Sequence, residues 1–174
     1  MSSDIWVDTA ARTLRFAGQA IPCAIGRSGA CPADLKREGD GCTPLGVWPV
    51  RGVLLRPGRV TLPRPPLIPW RWTRECDGWS DDAADPAYNR PVLLPRAFSH
   101  ERLWRDDGAY DIIVVLGHND APPVPGNGSA IFWHLWNRAA DGAPRPTEGC
   151  IAIAREEMDR ILPLIEPGMV MEIG

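Results

Sequence analysis

Apolar and polar positions change rhythm several times along this 174-residue chain, and each change marks an element. Ile5–Asp8 and Thr13–Phe16 read as short strands around a turn at Thr9–Arg12, and Ala20–Gly26 reads as a third. Lys36–Gly46 holds too many glycines and charges for regular structure and reads as a loop. Val47–Leu55 resumes a strand pattern, with Pro49 favouring an edge or a bulge. The strongest signal is Tyr110–Leu116, YDIIVVL, where four β-branched residues follow one another. Gly117–Gly128 is a Gly/Pro/Asn/Asp loop, after which Ala130–Trp136, Cys150–Ile153 and Met169–Ile173 read as strands. Helical spacing occurs in Arg155–Ile165, where Met158, Ile161, Leu162 and Ile165 recur at i, i+3, i+4 and i+7 before Pro167–Gly168 breaks the run.

No period lasts between residues 56 and 108, where proline, tryptophan, arginine and aspartate dominate. Trp70, Trp72, Trp79 and Trp104 argue against disorder, since disordered segments lack aromatics. The segment is expected to be an ordered insertion covering one face. The pattern predicts a single domain over residues 1–174, mainly β with few helices, built as a β-sandwich or a partly closed barrel.

Composition narrows the partners. The chain is 44% hydrophobic and 24% charged with a net charge of −3, so it can build a core and has no excess of positive charge. Its arginines are scattered apart from a cluster around Arg56–Arg74, which argues against a nucleic-acid partner. No run of 18 apolar residues is present, so no spanning helix is expected. The first residues include Asp4 and no apolar stretch, and are not expected to form a signal peptide. Cys23, Cys31, Cys42, Cys76 and Cys150 contain no C-x-x-C, and His100, His118 and His134 no H-x-x-x-H, so a zinc site is weakly supported. Apart from Cys150, the cysteines allow two disulfides in three connectivities, or none.

The stretch PTEGCIA, Pro146–Ala152, places Cys150 between a glycine and an apolar run. His134 lies sixteen residues earlier, and neighbouring strands would let the two meet. The imidazole would then draw the thiol proton and lower the thiol pKa toward neutrality, while Gly149 would let the amides at 149 and 150 face a developing oxyanion. The competing reading is a buried inert thiol and a histidine satisfied by a backbone carbonyl.

The block from His134 to Thr147-Glu148-Gly149-Cys150-Ile151 resembles the YkuD-type L,D-transpeptidase signature, a histidine, a spacer and Ser/Thr-x-Gly-Cys before an aliphatic residue. Upstream, Gly39-Asp40-Gly41-Cys42-Thr43-Pro44-Leu45-Gly46, preceded by Lys36-Arg37-Glu38, is similar to that family's G-x-x-x-T-P-x-G motif. The resemblance runs from about residue 14 to 173, and the insertion resembles that of compact Gram-negative members. It implies a periplasmic, monomeric cysteine acyltransferase acting on peptidoglycan stem peptides. Cys150 would form a thioester, His134 would act as base and acid, and a second stem would supply the attacking amine, with no metal or cofactor. For the compact subset it implies 1,3 cross-links, with hydrolysis of the same bonds or non-catalytic wall binding as alternatives. The chain departs from the pattern at Thr147-Glu148, where most members carry Ser-His, at Ala152, where most carry Arg or Asn, and at Leu135, where Gly or Ser often follows.

Tyr88, Arg90, His118, Trp136 and Thr147 are the candidate substrate contacts. Arg90 suits a bidentate carboxylate contact or an ion pair anchoring the insertion. His118 would orient substrate or His134 from a strand end. By alternation Trp136 shares a face with His134, as a wall of the site or as core. Asp81, Asp82 and Asp85 would attract amines or form a solvated face.

Overall fold

A computed structural model describes residues 5–174; Asp4 lies outside the described residues. Strands β1 (Ile5–Asp8), β2 (Thr13–Phe16) and β3 (Gln19–Pro22) form an antiparallel run. A short parallel pair, β4 (Ala30–Cys31) and β5 (Thr43–Pro44), precedes the long β6 (Gly46–Leu55). The insertion contributes β7 (Trp70–Trp72), β8 (Asp77–Ser80), β9 (Pro91–Leu93) and β10 (His100–Arg102). Then come β11 (Ile112–Leu116), β12 (Phe132–Leu135), β13 (Ile151–Ile153), helix α1 (Arg155–Ile161) with a 3₁₀ turn at Leu162–Leu164, and β14 (Val170–Ile173).

The main sheet has the order β13-β12-β11-β6-β14-β1-β2-β3, with β7 also pairing with β6. Beyond β3, Ala24 exchanges two backbone hydrogen bonds with Ala152 of β13, at 2.8 and 2.9 Å. The two ends of the sheet therefore meet, and the sheet is a nearly closed barrel. Closure removes the exposed edges that an open sheet would present. Pro49 sits where β6 passes from β14 to β11, and the β6–β11 register shifts next to it, in keeping with the expected bulge.

Two apolar clusters explain why β11 reads as an unbroken hydrophobic run. Ile112, Val114 and Leu116 face the barrel interior with Ile5, Leu14 and Met171, while Ile113 faces outward against Phe132, Trp79 and Leu103. Both faces of this strand are covered, so alternation disappears from its sequence. The outward face is covered by the insertion, whose β8, β9 and β10 form a separate antiparallel sheet in the order β10-β8-β9. The insertion is thus an ordered cap, but it contains strands that its sequence does not display. All four residues of β8, Asp77–Ser80, are buried, so no polar face marks it.

The expected helix over 155–165 is shorter. Pro163 has no amide hydrogen to donate, and the α-helix gives way to the 3₁₀ turn around it. Met158, Ile161, Leu162 and Ile165 still pack into the barrel interior as their spacing predicts. All five cysteines are free thiols.

Candidate active site

Strand alternation sets the site. On β12, Trp133 and Leu135 point into the barrel and Phe132 points toward the cap, which puts His134 on the cap side as well. In the parallel β12–β13 ladder His134 lies opposite Ala152. Cys150, two residues earlier, therefore shares the face of His134. Both line a cavity of about 520 Å³ between the sheet and the cap.

Cys150 is 7% exposed. Its thiol donates to the Ala130 carbonyl at 3.2 Å, and its sulfur accepts from the Phe132 amide at 3.4 Å. His134 Nδ1 lies 2.8 Å from the Leu135 carbonyl, an oxygen that can only accept. Nδ1 therefore carries the hydrogen, and Nε2 is left with its lone pair. Burial pushes the Cys150 thiol up to about 12 and His134 down to about 4. The resting pair is a neutral thiol and a neutral imidazole. This corrects the expectation of a thiol drawn toward neutrality: desolvation in this apolar setting disfavours both charged forms, and the thiol proton is held by Ala130.

The turn before Cys150 is specified by glycine. Gly149 has φ of +137°, and a Cβ there would lie 2.7 Å from the Cys42 carbonyl oxygen. Thr147 locks the same turn: its hydroxyl donates to the Cys150 carbonyl at 2.6 Å and accepts from the Gly149 amide at 3.2 Å. The Gly149 amide is thus occupied. Among the described residues the Cys150 amide has no partner, so of the two amides expected to face an oxyanion only this one is unengaged.

The upstream Gly/Thr-Pro motif packs directly on this turn. Lys36 is buried, with its ammonium group bound to Asp40 and to the Arg37 carbonyl. Asp40 also accepts the Arg37 and Cys42 amides, which curls the loop. Gly41 then passes so close to Gly26 that a Cβ on Gly26 would fall 2.2 Å from the Gly41 carbonyl. Cys42 follows, with its carbonyl against Gly149. Two motifs more than a hundred residues apart in sequence form one scaffold. A family comparison agrees: the YkuD model, described as an L,D-transpeptidase catalytic domain, matches residues 2–173.

The chain belongs to the YkuD family. No curated protein and no solved structure matches it.

In this YkuD domain the positions that depart from the family pattern have local explanations. Glu148 is exposed and pairs with Arg27 at 2.8 Å. Ala152 is fully buried at the seam where the barrel closes. Trp136 and Thr147 line the cavity; Tyr88, Arg90 and His118 do not. The Tyr88 hydroxyl donates to Glu38, which does line it. Arg90 donates to the Asp120 carbonyl at 2.7 Å, tying the cap to the 117–120 loop by a hydrogen bond rather than an ion pair. His118 is buried edge-on against Trp48, and burial pushes it down to about 4. Of the acidic trio, Asp81 lines the cavity, Asp82 accepts the Ala84 and Ser99 amides, and Asp85 pairs with Arg96.

Cys31, Asp40 and Cys42 bring their donor atoms within 4.8 Å of one another. Asp40 is committed to Lys36 and two amides there, so the group has the contacts of a loop-forming network.

Sequence reasoning misses Glu101 and Tyr110, which also line the cavity. The available signal is Tyr110 at the head of an apolar strand: a buried tyrosine hydroxyl needs a partner, and here it donates to Glu101.

Proposed function

We propose that this YkuD domain is a peptidoglycan L,D-transpeptidase acting through a thioester on Cys150. The observation that carries the reading is one cavity lined by both Cys150 and His134, where the Leu135 carbonyl takes the Nδ1 hydrogen of His134 and the Cys150 amide has no partner among the described residues. Cys150 attacks the carbonyl of a donor stem peptide as Nε2 takes its proton, and the Cys150 amide receives the oxyanion. His134 then protonates the leaving amine. The side-chain amine of a second stem's diaminopimelate attacks the thioester to form the cross-link. These residues complete the cycle with no metal or cofactor. The capped insertion, by its likeness to that of compact Gram-negative members, extends the reading to 1,3 cross-links made in the periplasm by a monomer.

Incubation with muropeptides, followed by chromatography and mass spectrometry, tests this. Cross-linked dimers are expected, and fragmentation of the dimers reads 1,3 against 3,3 linkage. Shortened monomers would instead mean hydrolysis, and unchanged muropeptides a wall-binding role. Cys150→Ala is expected to reduce product by at least about a thousandfold; full activity in that variant would sink the mechanism.

A further inference from the structure

In the mechanism above, His134 serves the donor side of the reaction. The acceptor amine reaches the cleft as an ammonium ion and must lose a proton before it can attack. Two of the carboxylates lining the cavity are already paired, Glu148 with Arg27 and Asp107 with Arg105, and the strands of the sheet offer the ammonium ion none. The opposite wall does: Glu101 and Asp81 from the cap, and Glu38 from the 36–43 loop, line the cavity that contains Cys150.

These three carboxylates are not equivalent. Glu38 already accepts the Tyr88 hydroxyl at 2.5 Å. Asp81 has its Oδ1 buried without a partner. Glu101 is the most firmly positioned. Its backbone is set by the β8–β10 ladder, opposite Trp79. Its Oε1 accepts the Tyr110 hydroxyl, and the Tyr110 ring stands edge-on to His134 with centroids 5.0 Å apart. One side chain thus separates Glu101 from the imidazole. Arg105 approaches Oε1 at 3.8 Å, but this guanidinium is bound to Asp107 and lies over the Tyr110 ring. No described residue donates to Oε2, and 29% of the Glu101 side chain stays open.

The charged groups around Glu101 act in both directions. Burial first, with Asp81 and Glu38 adding to it, pushes its carboxyl above the usual carboxylate range, against the Tyr110 hydrogen bond and Arg105. Its negative charge is also felt at Cys150 and helps keep that thiol protonated at rest. A carboxylate that costs something to ionise is a better proton acceptor than a solvated one.

We propose that Glu101, positioned by Tyr110, receives the ammonium group of the acceptor and takes its proton, with Asp81 as a second contact for the same group. The proposal rests on the transpeptidase reading. The Glu101 carboxylate accepts one proton from the ammonium ion. The freed amine attacks the thioester carbonyl, forming the C–N bond. The second amine proton passes to His134 Nε2 as the C–S bond breaks and Cys150 leaves as thiolate. His134 returns that proton to the thiolate, and Glu101 releases its own to solvent. The cap is therefore the element that selects a cationic acceptor, while the sheet performs the acyl chemistry.

The test separates the two half-reactions. Acylation of Cys150 by a donor stem peptide is followed by intact-protein mass spectrometry, and release of the acyl group by a stem-peptide amine or by hydroxylamine, which is uncharged at neutral pH. In Glu101→Gln, transfer to the stem amine is expected to fall about 100-fold relative to acylation. Transfer to hydroxylamine should hold, the stem-amine reaction should recover as pH rises, and Glu101→Asp should restore part of the rate. Equal transfer by wild type and Glu101→Gln overturns this proposal alone, as does an equal loss with both nucleophiles. Absence of a thioester on the wild type overturns the functional reading and this proposal with it. A second measurement needs no variant: wild-type transfer to the stem amine should rise through an ionisation below that of the free amine, and transfer to hydroxylamine should not. Identical pH profiles for the two nucleophiles also refute the role of Glu101.

Discussion

The two walls of the cleft are held together by different forces. The sheet that carries Cys150 and His134 is anchored by apolar side chains on both faces, with Ile112, Ile113 and Val114 all at 0% exposure. The cap shares an apolar cluster with the sheet through Trp79 and Leu103, but its own loops are held by buried polar groups. Arg71 and Arg74 converge on Asp77, and Arg96 and Ser80 on Asp85. Asn89 is the hub between the walls. Its Oδ1 accepts from Trp79 Nε1 at 2.9 Å and from the Ala130 amide at 3.1 Å, and its Nδ2 donates to the His118 and Asn119 carbonyls. Apolar packing is tolerant of direction, whereas buried polar groups demand specific partners. The sheet is thus held rigid beneath Cys150, and the cap's polar contacts fix the orientation of the groups facing it.

This contrast can be broken from either side. Ile112→Ala in the barrel interior should cost about 2–5 kcal/mol of global stability, read as a lower urea midpoint with the slope unchanged. Asn89→Gly in the hub should cost less, about 1–3 kcal/mol, from donors and acceptors left unpaired. Glycine suits the positive φ of 53° at this position, so the loss reports the side chain rather than backbone strain. Hydrogen exchange should show the Asn89→Gly opening confined to residues 77–102; equal deprotection of β11 would mean that the walls are one cooperative unit.

The smallest effect is hidden at neutral pH. Burial works to raise Asp77, but hydrogen bonds from Arg71 and Arg74 outweigh it and hold its carboxyl low. The hydrogen bond from Arg96 holds Asp85 well below the usual range. Groups depressed in the folded state stabilise it fully above the unfolded carboxyl value, about 3.9, and lose that contribution as pH falls through their folded values. Acidification below about pH 4 should therefore loosen the cap before the sheet, with exchange protection vanishing in β8–β10 first. Simultaneous loss in β11 would show that the ion pairs do not hold the cap separately.

The same contrast explains what the sequence makes legible. β11 and the apolar face of α1 are visible because periodic burial leaves a periodic trace. The barrel's order is not visible, since the closing Ala24–Ala152 contact is made by backbone atoms of two unremarkable alanines. β8 escapes notice because both of its faces are covered. At the site, local chemistry and spacing single out Cys150 and His134, which line one cavity, and Gly149 is singled out by its place beside Cys150. Glu101 and Tyr110 are missed because their partnership depends on a sheet contained in the cap. Arg90 reads as an anion contact because nothing in its neighbourhood of the sequence announces the Asp120 carbonyl thirty residues away.

Strand β14 lies between β6 and β1, bonded to both, and it is formed from residues 170–173. More than a hundred residues separate the end of β6 from the strand that must join it to the first hairpin. During synthesis, the N-terminal strands and β6 therefore wait unjoined until β14 emerges, and the barrel closes as a late event. Until then the β1–β2–β3 run and the β6–β11–β12–β13 portion of the sheet can form only as separate pieces, and β14 is the strand that joins them.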